Sequence, residues 1–285
     1  MDVKIVISRN LVYHFCVVKK RSHLKLHPKS KILKHGYINI YSELGDQESK
    51  GLYYKEFFKE NNPDWDDTTI ILKKWFQSFV ENSSDMRVLD LGCGNGNYVI
   101  DEFRKDIDWA VGADVTPDNT KKNVCLDEIV YGSAEDLPFS TDEFDVCIAL
   151  WLVEHLERPE KVFAEVYRVL KPGGIFLFAT PNKNSWLIMA RRVMGNKISK
   201  QIVHKLWGRQ SEDIFPTFYY ANDKRTLLKE LHGASFSKVD LVFNYDPSYT
   251  AFNKFCFNLF SGVDFWLSKF NVLFSKHHIA GLVQK

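Results

Sequence analysis

Three glycines stand at alternate positions in the run Val88-Leu89-Asp90-Leu91-Gly92-Cys93-Gly94-Asn95-Gly96. Glycine at that spacing lets the backbone turn tightly and approach a ligand where a Cβ would collide. A helix should follow, pointing its free N–H groups back at that ligand. A dinucleotide-binding loop would read GxGxxG; counted from Gly92 it needs glycine at position 97, where Asn97 stands. The GxGxG spacing, with Asp90 before it, favours a nucleoside joined to an amino acid over a pyrophosphate. Asp90 can accept from the ammonium end of such a ligand, directly or through water. Asp114 comes about twenty residues past the loop, where an acid can accept from both hydroxyls of a ribose. The competing reading is a plain strand-to-helix turn with Asp114 as a helix N-cap, a role for which Asp118 is better placed.

The elements that must position these residues read as a βαβ series over 86–181. MRVLDL is a buried strand running into the glycine loop, and DWAVGADV is a second strand ending in Asp114. EIVYGSAEDLPF gives a third strand and its loop, and FDVCIALWLVEHL a fourth strand and a turn. PEKVFAEVYRVL is an amphipathic helix with Val162, Phe163, Val166, Val169 and Leu170 on one face. KPGG breaks that helix, and IFLFATPN is the fifth strand. Ligands of such doubly wound sheets sit beyond the carboxyl ends of the strands.

Around this core, residues 1–35 form a basic arm with nine Lys/Arg against one acid, Asp2. Residues 36–85 carry helical patterning, with Ile70, Ile71, Trp75, Phe76, Phe79 and Val80 in register. Residues 183–209 contain Lys183, Arg191, Arg192, Lys197, Lys200, Lys205 and Arg209 and no acid. Together with an apolar stripe through Ala190, Met194, Ile198, Ile202 and Leu206, this suggests an anionic acceptor or a membrane surface; a solvated helix is the bland alternative. A second apolar stripe, Phe252 to Phe274, reads chiefly as a core helix linking the last two strands, with a lipid- or partner-facing surface as the minority reading. HHIAGLVQK reads as the last strand.

VLDLGCGNG, the acid of GADVTP and the stretch GSAEDLPFSTDEFDVCIALWLVEHLERPEKVFAEVYRVLKPGGIFLFATPN together resemble a class I methyltransferase dependent on S-adenosylmethionine (SAM). The likeness is densest over 86–181 and greatest for the small-molecule branch. It implies an α/β, Rossmann-like doubly wound sheet of seven strands with the last antiparallel, N-terminal helices, and a helical substrate cap (about 183–220) inserted after strand five. The methyltransferase domain would span 36–285, its C-terminal helix and strand pair occupying 221–285. By the same resemblance Asp90, Gly92, Cys93, Gly94 and Gly96 form the methionine-side loop, and Asp114 binds the ribose. Val115 stacks on adenine, and Ser133, Ala134 and Glu135 lie along its edge. Leu150 offers its backbone near the methionine amine. Ser133 departs from the Asp common at its position, and Glu135 is the alternative acceptor for the adenine amine. The stretch 215–245 resembles, more loosely, bacterial methyltransferases associated with glycoconjugate synthesis.

Methyl transfer from a sulfonium needs alignment first and a base only when the acceptor must lose a proton. His155, after the fourth strand, is the catalytic candidate, with helix capping as the alternative role. The expected acceptor is a small molecule or a glycoconjugate, anionic or lipid-linked. RNA or protein methylation and an inactive SAM-binding subunit are the rival functions. Ala149-Leu150-Trp151-Leu152 stands where many base-amino methylases carry an NPPY-like tetrapeptide, which argues against methylation of base amino groups; the basic arm permits nucleic acid, but no RNA-binding signature appears, so nucleic acid is not the expected partner. The five cysteines are scattered and form no CxxC pair, so neither a metal site nor a disulfide framework is expected. With no uncharged run long enough to span a bilayer, the expectation is a soluble, cytoplasmic protein, at most peripheral to the membrane.

Overall fold

A computed structural model describes residues 31–32, 38–39, 46–81, 85–121, 123–190, 215–250, 254–269 and 273–285. The seven strands are β1 (Arg87–Leu91), β2 (Trp109–Asp114), β3 (Glu128–Tyr131), β4 (Phe144–Leu150), β5 (Leu170–Pro181), β6 (Lys238–Asn244) and β7 (His278–Gln284). They form one sheet in the order β3-β2-β1-β4-β5-β7-β6, and β7 runs antiparallel to both its neighbours. This is the sheet expected from the sequence, including its reversed last strand. The order changes direction beside β1, which pairs with β2 and β4, so the crevice where a ligand belongs opens at the end of β1.

Alternation along the strands gives the sheet two buried faces. Leu89, Leu91, Val111 and Cys147 lie on one face with α4 (Pro159–Val169) and α5 (Lys224–Gly233). Val88, Ala110, Val146 and Ile148 lie on the other with α2 (Thr68–Val80) and α3 (Tyr98–Phe103). Helix α2 is N-capped by Asp67, whose carboxylate accepts from Ile70 N at 2.8 Å. Proline at the first position of α4 costs that helix no internal hydrogen bond. Helix α5 is opened by Asp223, which accepts from Thr226 N at 3.1 Å. Helix α1 (Asp46–Asn61) completes the N-terminal pair.

Three sequence expectations need correction. KPGG ends α4 as expected, yet it lies within β5, which begins at Leu170 by pairing with Phe144; the irregularity between Phe144 and Val146 absorbs it. The late aromatic stripe does form a helix, α6 (Lys254–Lys269), between β6 and β7, but it is not all core. Phe257 is buried, whereas Phe255, Leu259, Val263 and Trp266 face solvent. Cys93, Cys147 and Cys256 are free thiols, but Cys125 is disulfide-bonded. The basic arm up to residue 30 and the cap residues 191–214 lie outside the described residues. Within the arm's remainder, Lys31–Ile32 pairs with Ile38–Asn39.

Candidate cofactor site

The glycine loop leaves β1 and doubles back against the end of β2. Gly92 N and Cys93 N both donate to Ala113 O, at 2.8 and 3.3 Å, and Gly94 N donates to Asp114 Oδ2 at 2.9 Å. Asp114 Oδ1 accepts from Thr116 N at 3.0 Å, so one carboxylate organises both the loop and the turn after β2. Asn123 Nδ2 braces the loop from outside by donating to Gly94 O at 3.2 Å. Gly92 sits at φ +70°, and a Cβ there would come within 2.9 Å of Leu152 Cδ1. That approach brings the segment after β4 against the loop, and only glycine allows it without strain.

Behind the loop, Asp90 is buried. Asn97 Nδ2 donates to Asp90 Oδ1 at 2.8 Å, while Asn97 Oδ1 accepts from Val99 N at 3.0 Å and caps α3. Asp90 Oδ2 is buried with no hydrogen-bond partner. Burial pushes the Asp90 carboxyl up to about 7, against the pull of Asn97 and with a push from the Asp114 charge. Asp101, one turn into α3, is raised to about 8 by burial and by Asp90. A buried acid with one unserved oxygen beside an anion-repelling neighbour is a place for a cationic group.

The residues expected along the adenine lie close to Asp114. Gly132 N donates to Asp114 O at 2.9 Å, which sets Ser133 to Glu135 beside it. Val115 is 67% exposed, open to a flat ring. Ser133 Oγ accepts from Glu135 N at 3.2 Å, and the Glu135 carboxylate is ion-paired with Arg158. Ala134 is half-buried between them. Across the crevice, Leu150 ends β4 opposite Ala179, and Trp151 N donates to Ala179 O at 2.8 Å.

His155 lies in a single 3-10 turn, Val153–His155, and its Nδ1 is 2.6 Å from Pro216 O. A carbonyl only accepts, so Nδ1 carries the proton and Nε2 of the neutral ring holds the lone pair. The same turn is tied down by Phe218 N, which donates to Glu154 O at 2.8 Å, and by Thr180 Oγ1, which donates to Glu154 Oε2 at 3.0 Å.

Sequence reasoning missed a buried polar cluster at the same edge of the sheet. Trp151, at φ +58°, meets His278 edge-on with ring centroids 4.7 Å apart. Tyr98 is buried in the same cluster, and burial holds its hydroxyl well above its ordinary value, with the Thr69 and Trp151 side chains nearby. His278 Nδ1 is 3.3 Å from Thr68 Oγ1, and its Nε2 is buried without a partner. Burial lowers His278 to about 3, opposed by the Asp246 carboxylate, and His277 to about 4. The adjacent histidines were visible in the sequence, but nothing local distinguished them from the start of a strand.

These features fit SAM. The loop closes where a Cβ would intrude, the orphaned Asp90 oxygen suits an ammonium, and the exposed Val115 follows Asp114 at the end of β2. The comparisons agree. Residues 89–178 match the methyltransferase domain family. A probable SAM-dependent methyltransferase of Mycolicibacterium smegmatis is 30% identical over 38% of this chain and 43% of its own. A ubiquinone biosynthesis O-methyltransferase of Cereibacter sphaeroides is 32% identical over 35% of this chain and 42% of its own. A protein of Methanocaldococcus jannaschii is 26% identical, and the match spans 63% of it. The chain thus spans only part of the curated relatives it matches. A SAM-dependent methyltransferase structure from Archaeoglobus fulgidus shares the fold, with a TM-score of 0.50 at 17% identity, over 80% of this chain and 98% of that one. The chain carries a class I SAM-dependent methyltransferase domain, and SAM is the cofactor of that class.

Proposed function

We propose that this protein transfers the methyl group of SAM to a small-molecule or glycoconjugate acceptor bound at the carboxyl ends of β4 and β5. The observation that carries the reading is the joined geometry of Asp90 and Asp114 across the glycine loop. One acid offers an unserved buried oxygen, and the other sits at the end of β2 with a hydrogen bond to Gly94 N. Bound SAM supplies a methyl group on a positively charged sulfur, an excellent leaving group. The chain's task is then to fix the donor and exclude misaligned attack. Gly92 and Leu152 close together beside the loop. Where the acceptor must lose a proton, His155 takes it at Nε2, the nitrogen left with a lone pair by the bond to Pro216.

A small-molecule acceptor is supported by the relative named for ubiquinone biosynthesis. The basic stretch 183–209 supports an anionic or lipid-linked one. The test is transfer from radiolabelled SAM into a host extract separated into lipid, small-molecule, nucleic-acid and protein fractions. Label in the lipid or small-molecule fraction supports the proposal. Label in RNA or protein overturns the acceptor class, and no label from a SAM-bound protein overturns the activity.

A further inference from the structure

His278 begins β7, and β7 runs antiparallel to β5, so the histidine stands at the carboxyl edge of the sheet beside Pro181. By strand alternation it shares a face with Ala280, the face that α2 covers. Its Nδ1 is 3.3 Å from Oγ1 of Thr68, the first residue of α2, while Nε2 is buried with no hydrogen-bond partner. Buried polar atoms are nearly always paired, so an open one marks a place where something else supplies the partner.

The walls of this place are aromatic. Trp151 meets the imidazole edge-on with ring centroids 4.7 Å apart, and Tyr249 does so at 5.2 Å. Both residues are half-exposed, so the open nitrogen lies one side chain beneath the surface. Trp151 directly follows β4 and is held at φ +58°, a conformation that residues with a side chain rarely adopt. Such strain persists only where the surroundings enforce it, and it gathers at ligand sites. Adjacent strands lie about 4.8 Å apart, which puts β7, two strands from β4, roughly 10 Å away, within the span of one small acceptor.

Charge decides what kind of group fits. Burial holds the imidazole neutral, lowered to about 3, and His277 beside it is likewise held neutral. The charged groups that act on the ring, Asp246 and Lys55, are paired with each other at 2.7 Å and pull it in opposite directions. An ion brought here would lose its water and gain no counterion. A hydroxyl both donates and accepts, so it serves Nε2 in either tautomer of the neutral ring.

We propose that His278 Nε2 hydrogen-bonds an uncharged hydroxyl of the methyl acceptor, between the rings of Trp151 and Tyr249. The proposal rests on the methyl-transfer reading and narrows its acceptor to a hydroxyl-bearing molecule, which a sugar or a lipid can each be. The full chain, saturated with radiolabelled SAM, is given dilution series of the lipid fraction and of the aqueous small-molecule fraction of a host extract, which separates those two sources. His278→Asn keeps an amide at the position of Nδ1, within reach of Thr68, and leaves nothing at Nε2. His278→Gln places its amide near Nε2 instead. We expect His278→Asn to need about tenfold more of the labelled fraction for half-saturation, with its plateau within about threefold of wild type. His278→Gln should restore most of that loss, and S-adenosylhomocysteine affinity should stay at the wild-type value in both. A purely structural role through Thr68 predicts the reverse order, with Asn the better replacement, and that order overturns the proposal. So do equal losses in the two variants, or wild-type half-saturation in folded His278→Asn. Should His278→Asn fail to fold, Trp151→Leu takes its place: the same rise supports the proposal, and unchanged half-saturation overturns it. Wild-type protein that labels neither fraction overturns the methyl-transfer reading and this contact with it.

Discussion

Asn97 Nδ2 donates to Asp90 Oδ1 at 2.8 Å, and the other Asp90 oxygen is buried without a partner. The carboxyl is consequently raised to about 7, mainly by burial. An ammonium placed at the open oxygen favours the ionised form. Donor binding should therefore release a proton below pH 7, and affinity should rise with pH up to about 7 and then level off. Calorimetry in two buffers of different ionisation enthalpy measures the proton directly. In Asp90→Asn that release should vanish and the affinity should fall. The sign for stability is the reverse. A carboxyl raised in the folded state favours folding at low pH, and that contribution is lost as pH rises from its ordinary value toward 7. Asp90→Asn should thus melt higher than wild type at pH 8 in the absence of donor.

Glycine at 281 is required by packing rather than by turning. A Cβ there would lie 2.2 Å from Phe178 Cε1, a ring that is fully buried between β5 and its neighbours. Gly281→Ala should cost about 1–3 kcal/mol by overpacking. Gly92→Ala meets a movable Leu152 methyl but forces alanine to φ +70°, at a cost of about 1–2 kcal/mol. Thermal melts should show both losses, and only Gly92→Ala should also weaken donor binding beyond what its lower stability explains.

Lys55 Nζ lies 2.7 Å from Asp246 Oδ2, joining α1 to the turn after β6. Burial would raise Asp246, but Lys55 and His278 hold it at about 2. Removing one partner strands a buried charge, so Lys55→Ala should cost about 3–5 kcal/mol, while Lys55→Met combined with Asp246→Leu should recover most of it. Urea melts of the three proteins decide this. The account fails if the double variant is as unstable as the single one.

His278 contributes a separate pH dependence. Its folded form is neutral and its value is depressed to about 3, so the unfolded chain binds the extra proton first as pH falls. Stability from this group is present above its ordinary value near 6.5 and is lost between there and about pH 3. The difference in unfolding free energy between wild type and His278→Gln should shrink across that range. A constant difference would contradict a buried neutral imidazole.

The cofactor half of the site was legible because its signals are local. The spacing of Gly92, Gly94 and Gly96, and an acid one strand later, fall within a single βαβ unit, where backbone chirality leaves little freedom. Asn97 was read only as the residue that spoils a dinucleotide pattern, although an Asn before an apolar run is also a helix-cap signal. The polar cluster was not legible, because Thr68 and His278 are 210 residues apart and meet only through the sheet order. Helix α6 was legible as a helix from its period. Which of its two apolar faces turns inward depends on Ser261 and Asp264 finding buried places, and periodicity does not report that. Glu135 illustrates the same limit, since its pairing with Arg158 crosses from the β3 loop to the start of α4.

The central claim, that the glycine loop and Asp114 hold SAM, is tested most directly by titration calorimetry of SAM into wild type and Asp114→Ala. Asp114 accepts from Gly94 N at 2.9 Å and stands where the ribose is expected, so its loss should both loosen the loop and remove the ribose acceptor. We expect one-site binding to the wild type and at least a tenfold weaker affinity in the variant, about 1.4 kcal/mol. Unchanged affinity in a variant that melts like wild type, or no binding to the folded wild type, would contradict the account.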